Sequence, residues 1–231
     1  MKSLYRATAL VASILGVPAA AAALPISITS AVGLEGNGSF TGTIDYDAAQ
    51  AELEIVLNNT SPADNGGYLV ALAFNNPDDL ITGVTFTSSV AEFGLIGGDD
   101  FDNDIPVSPY GSADIGSSIS ASWLGNGSPS DGLAVGSSAT FTFAFTGTGL
   151  GALTVMDFVN TLAAGGQSTV TDWLLVRFRG FDDGGSDKVG TLVPDDPNVD
   201  INQVPEPASL LMLGGGMIGL VAVRRRMQKR A

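Results

Sequence analysis

The sequence predicts an all-β protein: an antiparallel, jelly-roll-like β-sandwich with one short helix, preceded by a signal helix and followed by a transmembrane helix. Three observations predict it. Short runs in the middle of the chain alternate apolar and polar residues, clusters of Gly, Asn, Asp and Ser separate these runs, and each end carries an apolar stretch. Alternation with period two places one face of a strand in a core and the other in water. Strands recurring at this spacing indicate a sandwich rather than alternating strand and helix units.

Residues 1–23 have the layout of a secretory signal peptide. Lys2 and Arg6 give a positive start, the run Ala7–Val17 is mostly apolar, and an alanine run ends the segment at Ala23. As a helix the apolar run would reach only about 16 Å, which is too short to span a bilayer core about 30 Å thick. We therefore predict cleavage by signal peptidase after Ala23 and export of the remaining chain.

The predicted mature domain, residues 24–191, contains the alternating runs. Tyr68–Phe74 is apolar on both faces and is predicted to be a central strand. The inward-facing sets of the clearest alternating runs are Phe40, Ile44 and Tyr46, then Leu53, Ile55 and Leu57, then Phe141, Phe143 and Phe145. Further predicted strands are Ile26–Val32, Leu80–Thr87, Ser118–Leu124, Ala152–Met156 and Asp172–Phe178.

One short helix and one linker complete the predicted elements. Asp157 is a candidate helix cap, and Phe158 and Leu162 lie four residues apart, so we predict a helix over Asp157–Ala164. Residues 192–203 are rich in Pro and Asp and show no periodicity, which is typical of a linker.

Residues 204–231 form a second targeting segment, made of a proline-containing motif, the apolar stretch 208–223 and a basic cluster. The apolar stretch would reach about 24 Å as a helix, so it can halt in a membrane without spanning it comfortably. The basic cluster favours the cytoplasmic side, which places everything upstream on the exported side. The motif is Val204, Pro205, Glu206 and Pro207, and the cluster is Arg224, Arg225, Arg226, Lys229 and Arg230.

This C-terminal layout resembles the PEP-CTERM sorting signal of exosortase-dependent surface proteins in Gram-negative bacteria, and the resemblance covers residues 204–230. It implies that the exosortase, a membrane-embedded cysteine transpeptidase, recognises Val204–Pro207 and cuts near it. It also implies transient anchoring in the inner membrane, a final place at the cell surface or outside the cell, and an association with exopolysaccharide and biofilm.

Charge restricts the partners of the exported part. Residues 24–203 contain 23 acidic and 3 basic residues, a net charge of −20. Such a surface repels nucleic acid and anionic membranes, so the expected partners are metal cations, basic proteins or neutral glycans.

The absence of two residue types from the whole sequence restricts its chemistry. There is no histidine and no cysteine. This excludes Ser-His-Asp and Cys-His catalysis and zinc sites built from imidazole, and it leaves carboxylates as the abundant acid-base groups. Paired carboxylates can hydrolyse glycosides, but no motif selects a pair here. We predict that the protein is not an enzyme and has no resident cofactor, with calcium as the one exception to consider.

The densest acidic run is the candidate calcium site. Asp100, Asp102 and Asp104 alternate along the chain, and calcium takes oxygen ligands at such positions. The run departs from the EF-hand pattern, because Ile105 and Gly111 occupy the positions of its glycine and its glutamate. A calcium loop completed by distant residues and a solvated acidic loop both stay open.

All three basic residues of the mature domain lie close together near its end. Arg177 and Arg179 are two apart and are predicted to share a strand face, where carboxylates such as Asp182 or Asp183 should meet them. One interpretation is a structural patch of ion pairs. The other is a ligand face, with Trp173 beside the arginines as a platform for a sugar ring.

Together these features predict an exported, non-enzymatic surface or matrix protein, processed by signal peptidase and exosortase and linked to exopolysaccharide. The alternative is a calcium-stabilised carbohydrate-binding module. That interpretation depends on the acidic loops and on Trp123 and Trp173.

Overall fold

A computed structural model describes residues 25–31, 33–98, 104–161 and 172–191 of the chain. It contains antiparallel β-sheets and one short α-helix, which confirms the predicted all-β class; the jelly-roll arrangement stays a prediction. The elements in chain order are β1 (Ile26–Thr29), β2 (Phe40–Asp47), β3 (Glu52–Asn59), β4 (Gly66–Phe74), β5 (Ile81–Ser88), β6 (Gly94–Leu95), β7 (Ile105–Pro106), β8 (Ser112–Ala113), β9 (Ile115–Ser118), β10 (Leu133–Ala134), β11 (Ser138–Gly147), α1 (Val155–Asn160), β12 (Leu174–Phe181) and β13 (Ser186–Gly190).

The first sheet has the strand order β1-β2-β3-β11-β5. Its strands alternate as predicted: Leu53, Ile55 and Leu57 of β3 are fully buried, and so are Phe141 and Phe143 of β11. The residues between them are partly or fully exposed. The first sheet therefore has one face in the core and one face in water, as the period of two requires.

The second sheet has the order β13-β12-β4-β9-β6, and the two residues of β10 extend the β9 side of β4. Every residue of β4 from Leu69 to Phe74 is buried. This confirms the prediction that Tyr68–Phe74 is a central strand. The near-continuous apolar sequence is explained by cover on both faces of the sheet.

The main core lies between side chains of the two sheets. Phe74 of the second sheet meets Phe143 of the first edge to face, with ring centroids 5.0 Å apart. Phe158 of α1 packs against Tyr46 at 5.0 Å and against Phe145 at 5.7 Å. Such aromatic pairs add to the stabilisation that their buried area provides. The helix therefore contributes to the same core as both sheets.

A second, smaller core covers the outer face of the second sheet. It contains Trp123 and small or aliphatic side chains from β4 and β12. The chain between β7 and Trp123 supplies the cover, since Ile105, Val107 and Tyr110 are buried there. The outer face of the second sheet is thus closed by a segment that combines loops with the two-stranded sheet of β7 and β8.

The edges of the two sheets meet along one side. Ser30, just after β1, forms an isolated bridge with Thr191, just after β13. The Ala31 N–H also donates to the Gly190 carbonyl at 2.8 Å, and the Leu34 N–H donates to the Lys188 carbonyl at 3.2 Å. These bonds occupy backbone groups that an open sheet edge would leave unpaired.

Two predicted strands are wrong. Ser118–Leu124 is mostly a turn, because β9 ends at Ser118 and the Ser118 hydroxyl accepts the backbone N–H groups of Ser120 and Ser122. Ala152–Met156 contains the end of a 3₁₀ turn and the start of α1. In Ser118–Leu124, local side-chain hydrogen bonding competes with strand pairing. In Ala152–Met156, it competes with extended structure.

The helix begins earlier than predicted. Thr154 is the N-cap of α1, and Asp157 accepts hydrogen bonds from the backbone and the hydroxyl of Thr154 in a capping box. Asp157 therefore supports the start of the helix from its third position, and the prediction that it is the cap is wrong. Residues 162–164 of the predicted helix lie outside the described residues.

Several predictions fall outside the part of the chain that the structure describes. They are the signal peptide (1–23), Val32, the linker 192–203, the sorting motif, the apolar stretch 208–223 and the basic cluster. The described residues all belong to one compact unit, Ala23–Asp196. Among the described residues, no helix is long and apolar enough to cross a membrane.

Candidate functional surfaces

The arginine pair binds backbone carbonyls. Arg177, only 9% exposed, donates through Nη1 to the Trp123 carbonyl at 2.6 Å. Arg179 donates to the carbonyls of Gly125 and Gly127 at 3.0 and 2.9 Å. The prediction that carboxylates such as Asp182 or Asp183 meet these arginines is therefore wrong. The two guanidinium groups instead fasten the loop after Trp123 to β12, an arrangement that charge-assisted hydrogen bonds can hold firmly.

Burial changes both the pKa and the hydrogen bonding of the Arg177 guanidinium. Desolvation lowers the pKa of its guanidinium, and the neighbouring charge of Arg179 lowers that pKa further. The Nε atom of Arg177 is buried and has no hydrogen-bond partner. This side chain is positioned to hold the covering loop, and it is shielded from a ligand in solvent.

The predicted sugar platform is wrong. Trp173 is 1% exposed and lies in the main core, whereas Arg177 lies beside Trp123 at the smaller core on the outer face of the second sheet. Trp123 is 2% exposed and cannot stack on a sugar either. Both tryptophans therefore stabilise the fold, and the open aromatic surface expected from the sequence is absent at these two positions.

The acidic run lies mostly outside the described residues. Asp100 and Asp102 are among residues 99–103, which are not described, and Asp104 is exposed. Within the described part of the chain, no group of three potential ligands could hold a metal ion. The three-aspartate calcium site therefore stays a prediction.

A half-buried carboxylate does lie near this run. Asp114 accepts the backbone N–H of Asn76 at 2.8 Å. Burial raises the pKa of Asp114, the Asn76 hydrogen bond lowers it, and the charges of Asp79 and Asp104 raise it. Negative potential is thus concentrated where β8 meets β9.

Asp187 of β13 is a structural residue that the sequence analysis missed. Its side chain is fully buried and accepts backbone N–H groups from Glu35, Asn37 and Gly38, each at 2.9 Å. Its carboxylate also accepts the N–H of Lys188 at 2.9 Å. A Cβ atom at Gly33 would overlap the carboxylate, so glycine is required for this close approach. Asp187 thereby fixes the segment after β1 against β13.

The outer face of the first sheet is the most regular polar surface among the described residues. We call it the hydroxyl face, because Ser or Thr occupies most outward positions of β1, β2, β5 and β11. Cross-strand partners continue the pattern, as in Thr29 with Thr41 and Thr142 with Thr87. The hydroxyl face consists of Ser27, Thr29, Thr41, Thr43, Thr85, Thr87, Thr140 and Thr142.

The hydroxyls at the centre of this face are available to a ligand. Within the described part of the chain, the side chains of Thr41, Thr43, Thr140 and Thr142 make no hydrogen bond to another residue. A different group occupies one end of the face, where Asp45 lies opposite Glu54 and Asp47 opposite Glu52. The face is therefore uncharged over β11 and β5 and acidic at the β2–β3 hairpin.

Comparison with known proteins identifies the C-terminal segment. Residues 203–226 match the PEP-CTERM protein-sorting motif. This confirms the predicted sorting signal: the chain carries the motif of exosortase-dependent proteins, which implies export and sorting to the cell surface. No curated protein and no solved structure matches the chain. The match covers the sorting signal and gives no function for the domain that precedes it.

Proposed function

We propose that this is a non-enzymatic surface or matrix protein, delivered by signal peptidase and exosortase, whose acidic β-sandwich contacts neutral exopolysaccharide. The observation that carries the proposal is the sorting motif at residues 203–226. A domain exported in this way meets the polymers outside the cell. The net charge of −20 over residues 24–203 favours uncharged partners over nucleic acid and anionic surfaces.

The hydroxyl face supports the choice of glycan as partner. A neutral glycan presents hydroxyl groups that both donate and accept hydrogen bonds, and threonine hydroxyls do the same. The unpaired hydroxyls of Thr43 and Thr140 lie on either side of Val56, which is the cross-strand partner of both residues. Methyl groups and hydroxyls therefore alternate across the strands, and a sugar chain exposes a similar mixture of C–H and O–H groups.

The sorting step is tested by the mass of the exported protein from its native host. We expect a C-terminus near Val204–Pro207, without the helix and the basic tail. A double Pro205→Ala/Pro207→Ala variant should accumulate uncut, because the two prolines favour an extended segment that a protease can read. The matched control is Pro197→Ala, which should be processed normally. An exported wild-type protein that still ends with Arg230 and Ala231 contradicts the proposal.

Glycan contact is tested by retention of the exported protein on the host exopolysaccharide. A Thr43→Val/Thr140→Val variant keeps side-chain shape and loses two hydroxyls, so we expect binding weakened by about tenfold. The control is Thr148→Val, an exposed threonine in the turn after β11. Equal retention of both variants and the wild type removes the hydroxyl face from the proposal.

The calcium-stabilised carbohydrate-binding module is kept as a second candidate because Asp79, Asp104 and Asp114 interact electrostatically beside the acidic run. A cation bound by the predicted acidic run, to which Asp104 belongs, would reduce the repulsion that acts on Asp114. Calcium should then raise the melting temperature of the exported protein, and Asp104→Asn should reduce that rise while Asp64→Asn leaves it unchanged. An identical melting temperature in calcium and in chelator contradicts this candidate.

A further inference from the structure

Strand β5 forms an edge of the first sheet with one free side. Among the strands that the structure describes, it pairs with β11 alone. The Ser89 N–H donates to the Thr140 carbonyl, so by alternation the backbone groups of Thr85 and Thr87 also face β11. Those of Val84 and Phe86 then point away from the sheet, and none of the described residues hydrogen-bonds to them.

This edge lacks the protection that the other edges have. The edges at β1 and β13 are joined by the bridge between Ser30 and Thr191, and β6 is only two residues long. By contrast, β5 has eight residues, Ile81–Ser88, with no charged residue and no proline. Natural proteins usually blunt an exposed edge of this length with charge, proline, a bulge or a covering element. In β5 the register with β11 shifts only near the start of the strand, between Ile81 and Gly83, and the pairing from Gly83 to Ser88 is regular.

Apolar side chains are incompletely buried along the same margin. Val84, Phe86 and Leu95 pack against the main core but are only partly buried. One strand further in, Phe141 and Phe143 are fully buried. The core therefore continues to the β5 edge, where these side chains keep part of their surface exposed.

We propose that β5 pairs with β5 of a second copy of this chain, antiparallel about a twofold axis at Thr85. Two bodies that each carry −20 repel each other, and an uncharged strand is where they approach at least electrostatic cost. The pairing is isologous, because each strand offers the same unpaired groups to the other. Centring on Thr85 places Val84 opposite Phe86 of the other copy and overlaps almost the full strand.

This pairing extends the proposed function. A twofold axis perpendicular to the sheet joins two five-stranded sheets into one of ten strands. The hydroxyl faces of both copies then lie on the same side, so a long glycan can contact both. Binding through two linked faces is stronger than binding through one, without any new type of contact.

The test is sedimentation equilibrium of the exported protein over a range of concentrations, with two charge variants at the twofold axis. We expect a concentration-dependent dimer for the wild type. Thr85→Glu and Thr85→Lys each place two like charges opposite one another, so each should raise the dimer dissociation constant by about tenfold or more. An equimolar mixture of the two variants should restore the dimer. Thr85 is exposed, so the monomer should keep its melting temperature.

The control is Thr41→Glu, which adds the same charge to the same face on strand β2 and should leave the dimer intact. A wild-type monomer at every concentration overturns the proposal, and so does a dimer insensitive to both Thr85 variants or equally sensitive to Thr41→Glu. The wild type could instead be a monomer that co-purifies with a different protein, and the Thr85 variants could release that protein. This result would overturn the proposal that a second copy pairs with β5 and would indicate that a strand of another protein does so. The dimer is measured without glycan, so its failure is distinct from failure of glycan binding.

Discussion

The two sheets of this protein use their outer faces in opposite ways. The first sheet leaves its outer face in water, with hydroxyls and carboxylates at alternate positions. The second sheet is covered on both sides, because the segment from Ile105 to Trp123 closes its outer face. An outward position is therefore solvated in the first sheet and packed in the second. Substitutions at the two faces should differ accordingly in their cost.

The largest effect is expected at the cover of the second sheet. Trp123→Ala removes a side chain that is 2% exposed, together with the hydrogen bond from its Nε1 to the Ser108 carbonyl at 3.2 Å. We expect a loss of about 3–5 kcal/mol in the free energy of unfolding, measured by urea denaturation. The matched control is the next residue, Leu124, which is 52% exposed and whose change to Ala should cost less than about 0.5 kcal/mol. Equal costs would mean that the cover is not packed on the sheet.

The second largest effect is expected where the edges of the two sheets meet. Asp187→Ala leaves the N–H groups of Glu35, Asn37 and Gly38 without their acceptor. We expect a loss of about 2–4 kcal/mol, since buried or half-buried donors without partners are costly. Hydrogen exchange of these amides should also accelerate. Asp182→Ala, an exposed aspartate in the turn before β13, is the control and should behave like the wild type.

The sequence predicted the first sheet more accurately than the second. Alternation identified the inward-facing residues of β2, β3 and β11, because one buried face produces a clear period of two. In the second sheet both faces are buried, so β4 was recognised only as an apolar run. Its cover was missed, because the segment around Trp123 has no period. That segment is held by the neighbouring Ser118 and by Arg177 and Arg179, which lie more than 50 residues further along the chain.

The candidate sites show the same limit. The sorting motif was readable because its recognition depends on a short, contiguous stretch of residues. The partners of the arginines were not, because backbone carbonyls carry no sequence signature. Asp187 did leave a signal in the sequence. It lies two residues before Val189, which is buried in β13, so both side chains are on the same, inward face of the strand. An aspartate at such a position needs several donors, and that requirement could have directed attention to the Asn37-Gly38 segment.

A further prediction concerns Asp114, which lies between β8 and β9 beside the covered second sheet. Burial in the folded state raises the pKa of this carboxyl group. The folded protein then keeps this proton at pH values where the unfolded chain has released it. Stability should therefore fall as the pH rises from the ordinary aspartate range through the raised pKa. Asp114→Asn should remove that part of the decline, as measured by urea midpoints between roughly pH 3 and pH 7. Asp64→Asn is the control, and a variant profile that parallels the wild type would contradict the assignment.

The smallest effect is expected on the open face of the first sheet. Asp45 and Glu54 lie directly opposite each other on β2 and β3, and like charges in this position repel. Glu54→Gln should therefore raise the free energy of unfolding by about 0.2–1 kcal/mol at low salt. The gain should shrink at about 1 M salt, where screening acts over only a few ångströms. Glu92→Gln, in the exposed turn after β5, reduces the net charge equally and should gain less. A lower stability for Glu54→Gln would mean that Glu54 makes a favourable interaction on this face. The outer face of the first sheet would then contribute to the stability of the fold, as the outer face of the second sheet does.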